Sequence, residues 1–224
     1  MKFNKKKTVV TALAVCALAL ISSSTLAWFS AKDEVKNEFL IAGSDDKTPD
    51  DIFSIDVWEQ KDTDGDGDFD DEGDVDYSNE LEYKDILPGD ELSKIAHVTN
   101  TGYYDQYVRV TVTISDATAW LNAVGLDINM SEVFAGFDET KWNNISKTIE
   151  GETDTVTYVL YYNEKLASEE DITLFTGVNI PTSLTQAQAA EFDGSFTIDV
   201  LAEAVQTKNV GTNAYEAFQT VYGN

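Results

Sequence analysis

The sequence predicts an all-β domain built from two packed antiparallel sheets, with a few short helices in the connections. Long segments alternate polar residues with β-branched or aromatic residues at a period of two, which is typical of half-buried strands. About eight such segments occur, which is enough for two packed sheets. No segment has the strand, phosphate loop and helix order of a doubly wound nucleotide-binding fold, which argues against that fold class.

The predicted strands differ in how clearly they alternate. The three clearest span residues 107–114, 155–162 and 195–205. Five weaker candidates follow the same pattern at residues 35–41, 52–58, 92–99, 140–149 and 172–180.

Three short helices are predicted in the connections. Residues 116–124 carry apolar side chains at helical spacing after an Asp or Ser that can cap the first turn. Thr185 is a plausible cap for a helix over residues 186–192, and Thr212 or Asn213 for one over residues 214–222.

The first 27 residues have the three-part order of a cleavable secretory signal peptide. Four lysines at positions 2, 5, 6 and 7 precede an apolar run over residues 9–21, and small residues end the segment at Ala27. The run is shorter than the roughly 20 residues that a membrane-spanning helix needs, so we expect cleavage before Trp28 and no stable membrane anchor in the mature form. A retained anchor and a lipoprotein modified at Cys16 are the alternatives.

Charge restricts the partners of the exported chain. The chain has 15 basic and 41 acidic residues, a net charge of −26. Loss of the four N-terminal lysines leaves 11 basic residues and a net charge of −30. Binding to nucleic acid or to an anionic membrane surface needs clustered basic residues, so we expect cations or further copies of the chain as partners. Since Cys16 is the only cysteine, no disulfide is expected in the single mature domain over residues 44–224.

A segment rich in aspartate, residues 62–74, follows the spacing of a calcium-binding loop. Acidic residues alternate along it, and Gly67 lies at the sixth position, where such loops turn sharply. Gly73 occupies the twelfth position, where an EF-hand has Glu, but either acidic neighbour can take that role. The predicted ligands are Asp62, Asp64, Asp66, Asp68, Asp70, Glu72 and Asp74. A solvated acidic hairpin tip is the alternative interpretation.

An enzyme is the weaker class of function for this sequence. His97 is the only histidine and lies in a predicted strand, on what we expect to be its polar face. Neither a His-Glu-x-x-His zinc motif nor a Gly-x-Ser-x-Gly nucleophile elbow is present. A carbohydrate-binding platform is possible in principle, but aromatic residues of β domains more often pack in the core or at its rim. The aromatic residues in question are Trp58, Trp120, Trp142, Tyr161 and Tyr162.

Three parts of the chain resemble the TasA/camelysin family. They are residues 25–43 around the cleavage site, the Leu-Pro-Gly-Asp turn at 87–90 with the Asn-Thr-Gly turn at 100–102 and strand 107–114, and residues 200–218. The resemblance implies a jelly-roll β-sandwich that is exported by Gram-positive bacteria, processed by a dedicated signal peptidase and assembled into extracellular fibres of the biofilm matrix.

In that family the processed N-terminal segment is a donor strand that completes the sheet of the next subunit. Here the donor segment is residues 28–43, in which Val35, Phe39 and Ile41 share one face at a period of two, while Trp28 and Phe29 form an apolar new terminus. The alternative is that this segment folds back onto its own domain as an edge strand. A monomeric surface adhesin or carbohydrate-binding module, and then a secreted hydrolase, are the rival functions.

Overall fold

The computed structural model describes residues 30–32, 52–62, 74–77, 83, 86–125, 127–151, 154–185, 187 and 196–223. These residues contain ten strands in two five-stranded sheets, and every strand pair is antiparallel. A shared hydrophobic core joins the two sheets. The prediction of an all-β antiparallel sandwich is confirmed.

Strand order defines the two sheets. The first sheet contains, in spatial order, β1 (Ser30–Lys32), β10 (Thr197–Gln206), β5 (Gln106–Ser115), β8 (Thr155–Tyr162) and β7 (Trp142–Glu150). The second sheet contains β3 (Asp74–Tyr77), β2 (Asp56–Asp62), β4 (Glu91–Thr99), β9 (Asp171–Asn179) and β6 (Phe134–Ala135). The last described strand in sequence therefore lies between the first and the fifth.

The helices lie in the connections and at the end of the described chain. They are α1 (Thr118–Val124), α2 (Met130–Val133), a 3-10 turn (Glu139–Lys141) and α3 (Ala214–Tyr222). Asn213 caps α3 as predicted, because its side-chain oxygen accepts a hydrogen bond from the backbone N–H of Glu216 at 2.9 Å. The helix predicted at 186–192 lies outside the described residues except for Ala187.

Helix α1 begins later than predicted and without the expected cap. Its N-cap is Ala117, whose side chain cannot accept a hydrogen bond, and Asp116 lies before it with a positive φ of 55°. The hydroxyl of Thr118 donates to the Asp154 carboxylate instead, tying the first turn of α1 to the turn before β8. The prediction that Asp or Ser caps this helix is therefore wrong.

The core follows from the alternation of side chains along the strands. In β5, Val108, Val110, Val112 and Ile114 are fully buried between the sheets, whereas the residues between them are only partly buried from Arg109 onwards. The main core collects such inward-facing residues from both sheets, together with Trp120 of α1 and Met130 of α2.

A second cluster covers one end of the outer face of the first sheet. Helix α3 packs against the ends of β5, β8 and β10, where consecutive residues are buried on both faces. This cluster consists of Tyr107, Tyr161, Val205, Val210, Ala214, Ala217 and Phe218. The outer face of the second sheet has no such apolar cluster among the described residues.

Candidate functional site

The edge of β10 is the first candidate site, because the start of the predicted donor segment lies on it. Strand β1 pairs antiparallel with β10, and Ser30 lies opposite Val205 while Lys32 lies opposite Glu203. In the single chain this segment therefore begins as an edge strand of its own domain, the alternative that the sequence left open. The predicted assembly residues Trp28, Phe29, Val35, Phe39 and Ile41 lie outside the described residues.

Burial changes along β10. Residues 202–205, at the end where β1 pairs, are all buried, with exposed fractions of 6% or less. Of these, Ala202 and Ala204 face the main core, whereas Val205 packs under α3. Towards the other end, Ile198 and Val200 also face the main core but remain partly buried, as does Phe196 just before the strand. Among the described residues, β1 pairs with one end of the β10 edge and no strand pairs with the other end.

The acidic segment, residues 62–74, is the connection of a β-hairpin. Asp62 ends β2 and Asp74 begins β3, and the two residues are paired across the hairpin. The ends of the calcium-loop pattern therefore lie on neighbouring strands, flanked by strands rather than by the helices of an EF-hand.

The structure does not test whether the predicted calcium ligands converge on one site. The predicted ligands Asp64, Asp66, Asp68, Asp70 and Glu72 lie outside the described residues, as do the side chains of Asp62 and Asp74. Among the residues that are described, no group of three or more His, Cys, Asp or Glu side chains is arranged to hold a metal ion. Calcium binding stays a prediction.

The outer face of the second sheet holds a third candidate site, which the sequence did not predict. Antiparallel pairing places Thr99 of β4 opposite both Asp56 of β2 and Asp171 of β9, and His97 opposite Trp58. A shallow depression of about 430 Å³, largely open to solvent, lies over these positions, and we call it the Trp58 cavity. Its lining residues are Asp56, Trp58, Thr99, Thr101 and Asp171.

A hydrogen-bond network fixes the Asp171 carboxylate at this cavity. The Thr99 hydroxyl donates to Asp171 Oδ1 at 2.6 Å, and His97 Nδ1 lies 2.8 Å from Asp171 Oδ2. The indole N–H of Trp58 donates to the Thr99 hydroxyl at 2.9 Å. Burial raises the pKa of Asp171, but the hydrogen bonds from His97 and Thr99 outweigh burial and hold this pKa below its ordinary value. Asp171 is therefore an anion at neutral pH.

Stacking fixes the aromatic wall of the same cavity. The rings of Trp58 and His97 lie 4.0 Å apart between centroids, with an interplanar angle of 8°. Together with the bond from the indole N–H to Thr99, this stacking holds Trp58 in one orientation. His97 thus lies on the polar face of its strand, as expected, and supports both Trp58 and Asp171.

A rigid loop positions Thr101 at the cavity mouth. Asn100 is fully buried, and its side-chain amide donates to the backbone carbonyls of Tyr104 and Leu166, each at 2.9 Å. Its side-chain oxygen accepts from the backbone N–H of Gly102 at 2.9 Å and from the side chain of Gln106 at 2.5 Å. All the hydrogen-bonding capacity of Asn100 serves this turn, which is the Asn-Thr-Gly turn noted in the sequence.

The structure separates the five aromatic residues that the sequence offered as a platform. Four of them are buried in the two clusters, with exposed fractions of 6% or less: Trp120, Trp142, Tyr161 and Tyr162. Only Trp58 of the five lines the cavity. The signal that would have found this site is the set of outward-facing residues on β2, β4 and β9, but the sequence does not show how those strands pair.

Comparisons with protein-family models, with curated proteins and with solved structures found no match. The resemblance to the TasA/camelysin family therefore stays a prediction. Within the described residues, no helix has both the length and the apolar character to cross a membrane.

Proposed function

We propose that this protein is a secreted structural protein that assembles into extracellular fibres by donor-strand complementation, with residues 28–43 as the donor. The observation that supports this most directly is the edge of β10, which among the described residues is paired with β1 at one end only. Ala204 is buried in the main core where β1 pairs, whereas Val200 and Ile198, farther along the same core-facing side, are only partly buried. A longer strand at this edge would cover them and satisfy the backbone groups of β10.

The register of β1 predicts which side chains such a strand would bring. Continued beyond Lys32, the same antiparallel register sets Val35 opposite Val200 and Phe39 opposite Phe196. Since side chains alternate, these residues share the inward face of the sheet. The donor segment therefore carries its apolar face in the register that the partly buried end of β10 requires.

Pairing of β1 with its own β10 is compatible with exchange between copies. Every contact that Ser30–Lys32 makes in one chain is available to the same residues of a second chain, because the sequences are identical. Exchange of an element between identical chains links them, and a head-to-tail exchange that does not close on itself builds a filament.

A jelly roll is the arrangement of the sandwich that we propose. The order β1, β10, β5, β8 in one sheet and β4, β9, β6 in the other interleaves early and late strands of the chain. Such interleaving is the mark of paired Greek keys. Secretion through cleavage before Trp28 and calcium binding by residues 62–74 complete the proposal.

Assembly is tested by electron microscopy of two chains. One is the mature chain, residues 28–224, and the other also lacks residues 28–41. We expect fibres from the first and none from the second. If both chains stay monomeric at high concentration, with or without calcium, the assembly proposal fails.

Disulfide trapping tests the register as well as the exchange. The mature chain has no cysteine, so a Val35→Cys chain mixed with a Val200→Cys chain should form a mixed disulfide dimer only if the donor strand reaches another copy. The matched control replaces Val200→Cys with Ile145→Cys, at an exposed position on β7 of the same sheet. Equal yields in the two mixtures would refute donation to β10.

Calcium binding is tested by measuring the melting temperature of the protein. We expect the melting temperature to rise in millimolar calcium, and this rise to disappear in the Asp62→Ala, Asp66→Ala double variant. An unchanged melting temperature in the parent chain would exclude a stabilising calcium loop.

The rival class, a monomeric carbohydrate-binding module or adhesin, is favoured by one observation, the Trp58 cavity. A Trp wall beside carboxylates is a common way to hold a sugar ring. A glycan array tests this rival directly, and a protease assay with a chelator control tests the secreted hydrolase.

A further inference from the structure

We infer that the Trp58 cavity binds a primary ammonium group, held between the ring of Trp58 and the Asp171 carboxylate. This inference concerns the outer face of the second sheet and does not depend on strand exchange at β10. The charge, the hydrogen-bonding capacity and the rigidity of the lining residues carry it.

Charge excludes anionic ligands first. Among the described residues that line the cavity, Asp56 and Asp171 are acidic and none is basic. The chain around them has a net charge of −26, so the mean field also attracts cations. A phosphate or carboxylate group would be repelled from this cavity.

The hydrogen-bond inventory then favours an ammonium group over a neutral sugar. The proton of the Thr99 hydroxyl is committed to Asp171, and the indole proton of Trp58 is committed to Thr99. The carboxylate of Asp171, whose side chain is 36% exposed, can still accept further hydrogen bonds. Of the lining residues that the structure describes, only Thr101 has a side-chain donor that is not used in these bonds. An ammonium group has three donors and no acceptor, so it needs no donor from the protein, whereas sugar hydroxyls need donors as well as acceptors.

The same lining disfavours a bare divalent cation. Calcium takes six to eight oxygen ligands, and structural zinc four nitrogen or sulfur ligands. The described part of the cavity has two carboxylates separated by a threonine, and no three-ligand group occurs there. An aromatic wall contributes nothing to a hard metal ion, but it attracts an organic cation through its ring quadrupole.

The site is rigid before a ligand arrives. Trp58 is held by stacking on His97, Asp171 by two hydrogen bonds, and Thr101 by the buried Asn100 turn beside it. Little side-chain entropy is therefore lost on binding, which favours measurable affinity for a group as small as an ammonium.

A primary ammonium group can come from a lysine side chain of a protein, from a polyamine or from an amino sugar. The probes are N-acetyl-lysine amide, spermidine and glucosamine, each with a neutral analogue where one exists: N-acetyl-norleucine amide and glucose. Their relative affinities identify the source, while the shared ammonium group is what the inference requires.

Nuclear magnetic resonance titration measures the binding. The reporter is the indole ¹H–¹⁵N signal of Trp58 in residues 28–224, observed below the concentration at which the chain assembles. We expect a saturable shift with at least one amine and none with its neutral analogue. In Asp171→Asn the affinity should fall about tenfold or more, as expected for loss of a charge-assisted hydrogen bond.

A matched control separates the local carboxylate from the overall charge. Asp127→Asn removes the same charge at an exposed position outside the cavity lining, and the affinity should be unchanged. If Asp171→Asn does not fold, Asp56→Asn at the opposite side of the cavity provides the second test.

Three results would overturn the inference. One is an equal shift with an amine and with its neutral analogue, and another is an equal loss of affinity in Asp127→Asn and in the cavity variant. The third is the absence of any saturable shift at about 10 mM amine, tenfold above a millimolar Kd. Binding of glucose but not of any amine would assign the cavity to a neutral sugar instead.

Discussion

The outer faces of the two sheets differ in what lies on them. On the first sheet, helix α3 covers Tyr107, Tyr161 and Val205, and the covered surface becomes a second apolar cluster. On the second sheet, Trp58 donates a hydrogen bond to Thr99, which in turn donates one to Asp171. These three outward-facing residues border the Trp58 cavity. Helix α3 covers one end of the first face by packing, whereas polar contacts among the described residues order the second face.

This difference shows how the residues at alternate positions decide what a sheet face becomes. Where outward positions are large and apolar, burial against α3 stabilises the fold at roughly 25 cal/mol per Å². Where they are polar and aromatic, hydrogen bonding fixes the side chains without covering them. The face under α3 therefore contributes mainly stability, and the outer face of the second sheet is the one at which we propose binding.

Shortening the buried side chain of Phe218 in α3 should have the largest effect on stability. Phe218 is 1% exposed, and Phe218→Ala should lower the free energy of unfolding by about 3–5 kcal/mol. Trp58→Ala should cost only about 1–2 kcal/mol, because Trp58 is partly exposed and loses mainly one stacking contact and one hydrogen bond. Urea unfolding measures both.

The control on the same helix is Thr220→Ala, at an exposed position, and its effect should stay below about 0.5 kcal/mol. If Trp58→Ala costs as much as Phe218→Ala, the division between a face stabilised by packing and a face ordered by polar contacts is wrong.

The ion pair beneath α3 should have the next largest effect. Arg109 lies 2.6 Å from the Glu203 carboxylate, and its guanidinium stacks 4.5 Å from the Phe218 ring centre. Burial opposes the charge of Arg109, but Glu203 raises its pKa above the ordinary value. Arg109→Met leaves a carboxylate that is 6% exposed without this partner, so we expect a loss of about 3 kcal/mol.

A double variant tells a lost ion pair from lost packing. Arg109→Met combined with Glu203→Leu should recover most of the stability, because it also removes the buried carboxylate that has lost its guanidinium partner. If the double variant is as unstable as Arg109→Met alone, the loss comes from packing against Phe218 rather than from the charge.

Strand positions in both sheets were largely predictable, because their core-facing residues alternate. Strand β8 spans Thr155–Tyr162 as predicted, and α3 also has its predicted bounds. Strand β2 begins at Asp56 rather than at residue 52, because the carbonyl of Ile52 bonds to the N–H of Tyr103 instead of joining a strand ladder. Strands β3 and β6, with four and two residues, are too short to show a period.

The Trp58 cavity could not be predicted, for a different reason. Thr99 and Asp171 are 72 residues apart in sequence, and Trp58 and Thr99 are 41 apart. Periodicity tells which face of its own strand each side chain occupies, but not which residue of another strand lies opposite. By contrast, the pairing of Asp62 with Asp74 is local, and it agrees with the hairpin that the sequence offered as the alternative interpretation of this segment.

Acid should weaken the hydrogen-bond network on the outer face of the second sheet, because that network depends on the ionised carboxylate of Asp171. Since the pKa of Asp171 in the folded state lies below its ordinary value of 3.8, folding favours the ionised carboxylate. Its contribution to stability is therefore complete above about pH 5 and is lost as the pH falls through the folded-state pKa. The parent chain should lose more stability between about pH 5 and pH 3 than Asp171→Asn does, as measured by urea unfolding at each pH.

Other carboxylates do not confuse this acid test. The pKa values of Glu216 and Asp138 are also lowered, through hydrogen bonds from Thr212 and Thr140 respectively, but both residues are present in the two proteins. Their effects cancel in the difference. Identical pH profiles for the parent and for Asp171→Asn would mean that the network around His97 and Thr99 does not stabilise the carboxylate.

The smallest expected effect tests whether α3 is held by its own cap as well as by its apolar face. Asn213 accepts the N–H of Glu216, and Asn213→Ala removes that acceptor, so we expect a loss of about 1 kcal/mol by urea unfolding. Asn213→Asp keeps the acceptor and should retain most of the stability. If Asn213→Ala is instead neutral, packing of Phe218 alone fixes the helix, and the face under α3 depends on its apolar contacts without help from the turn that precedes them.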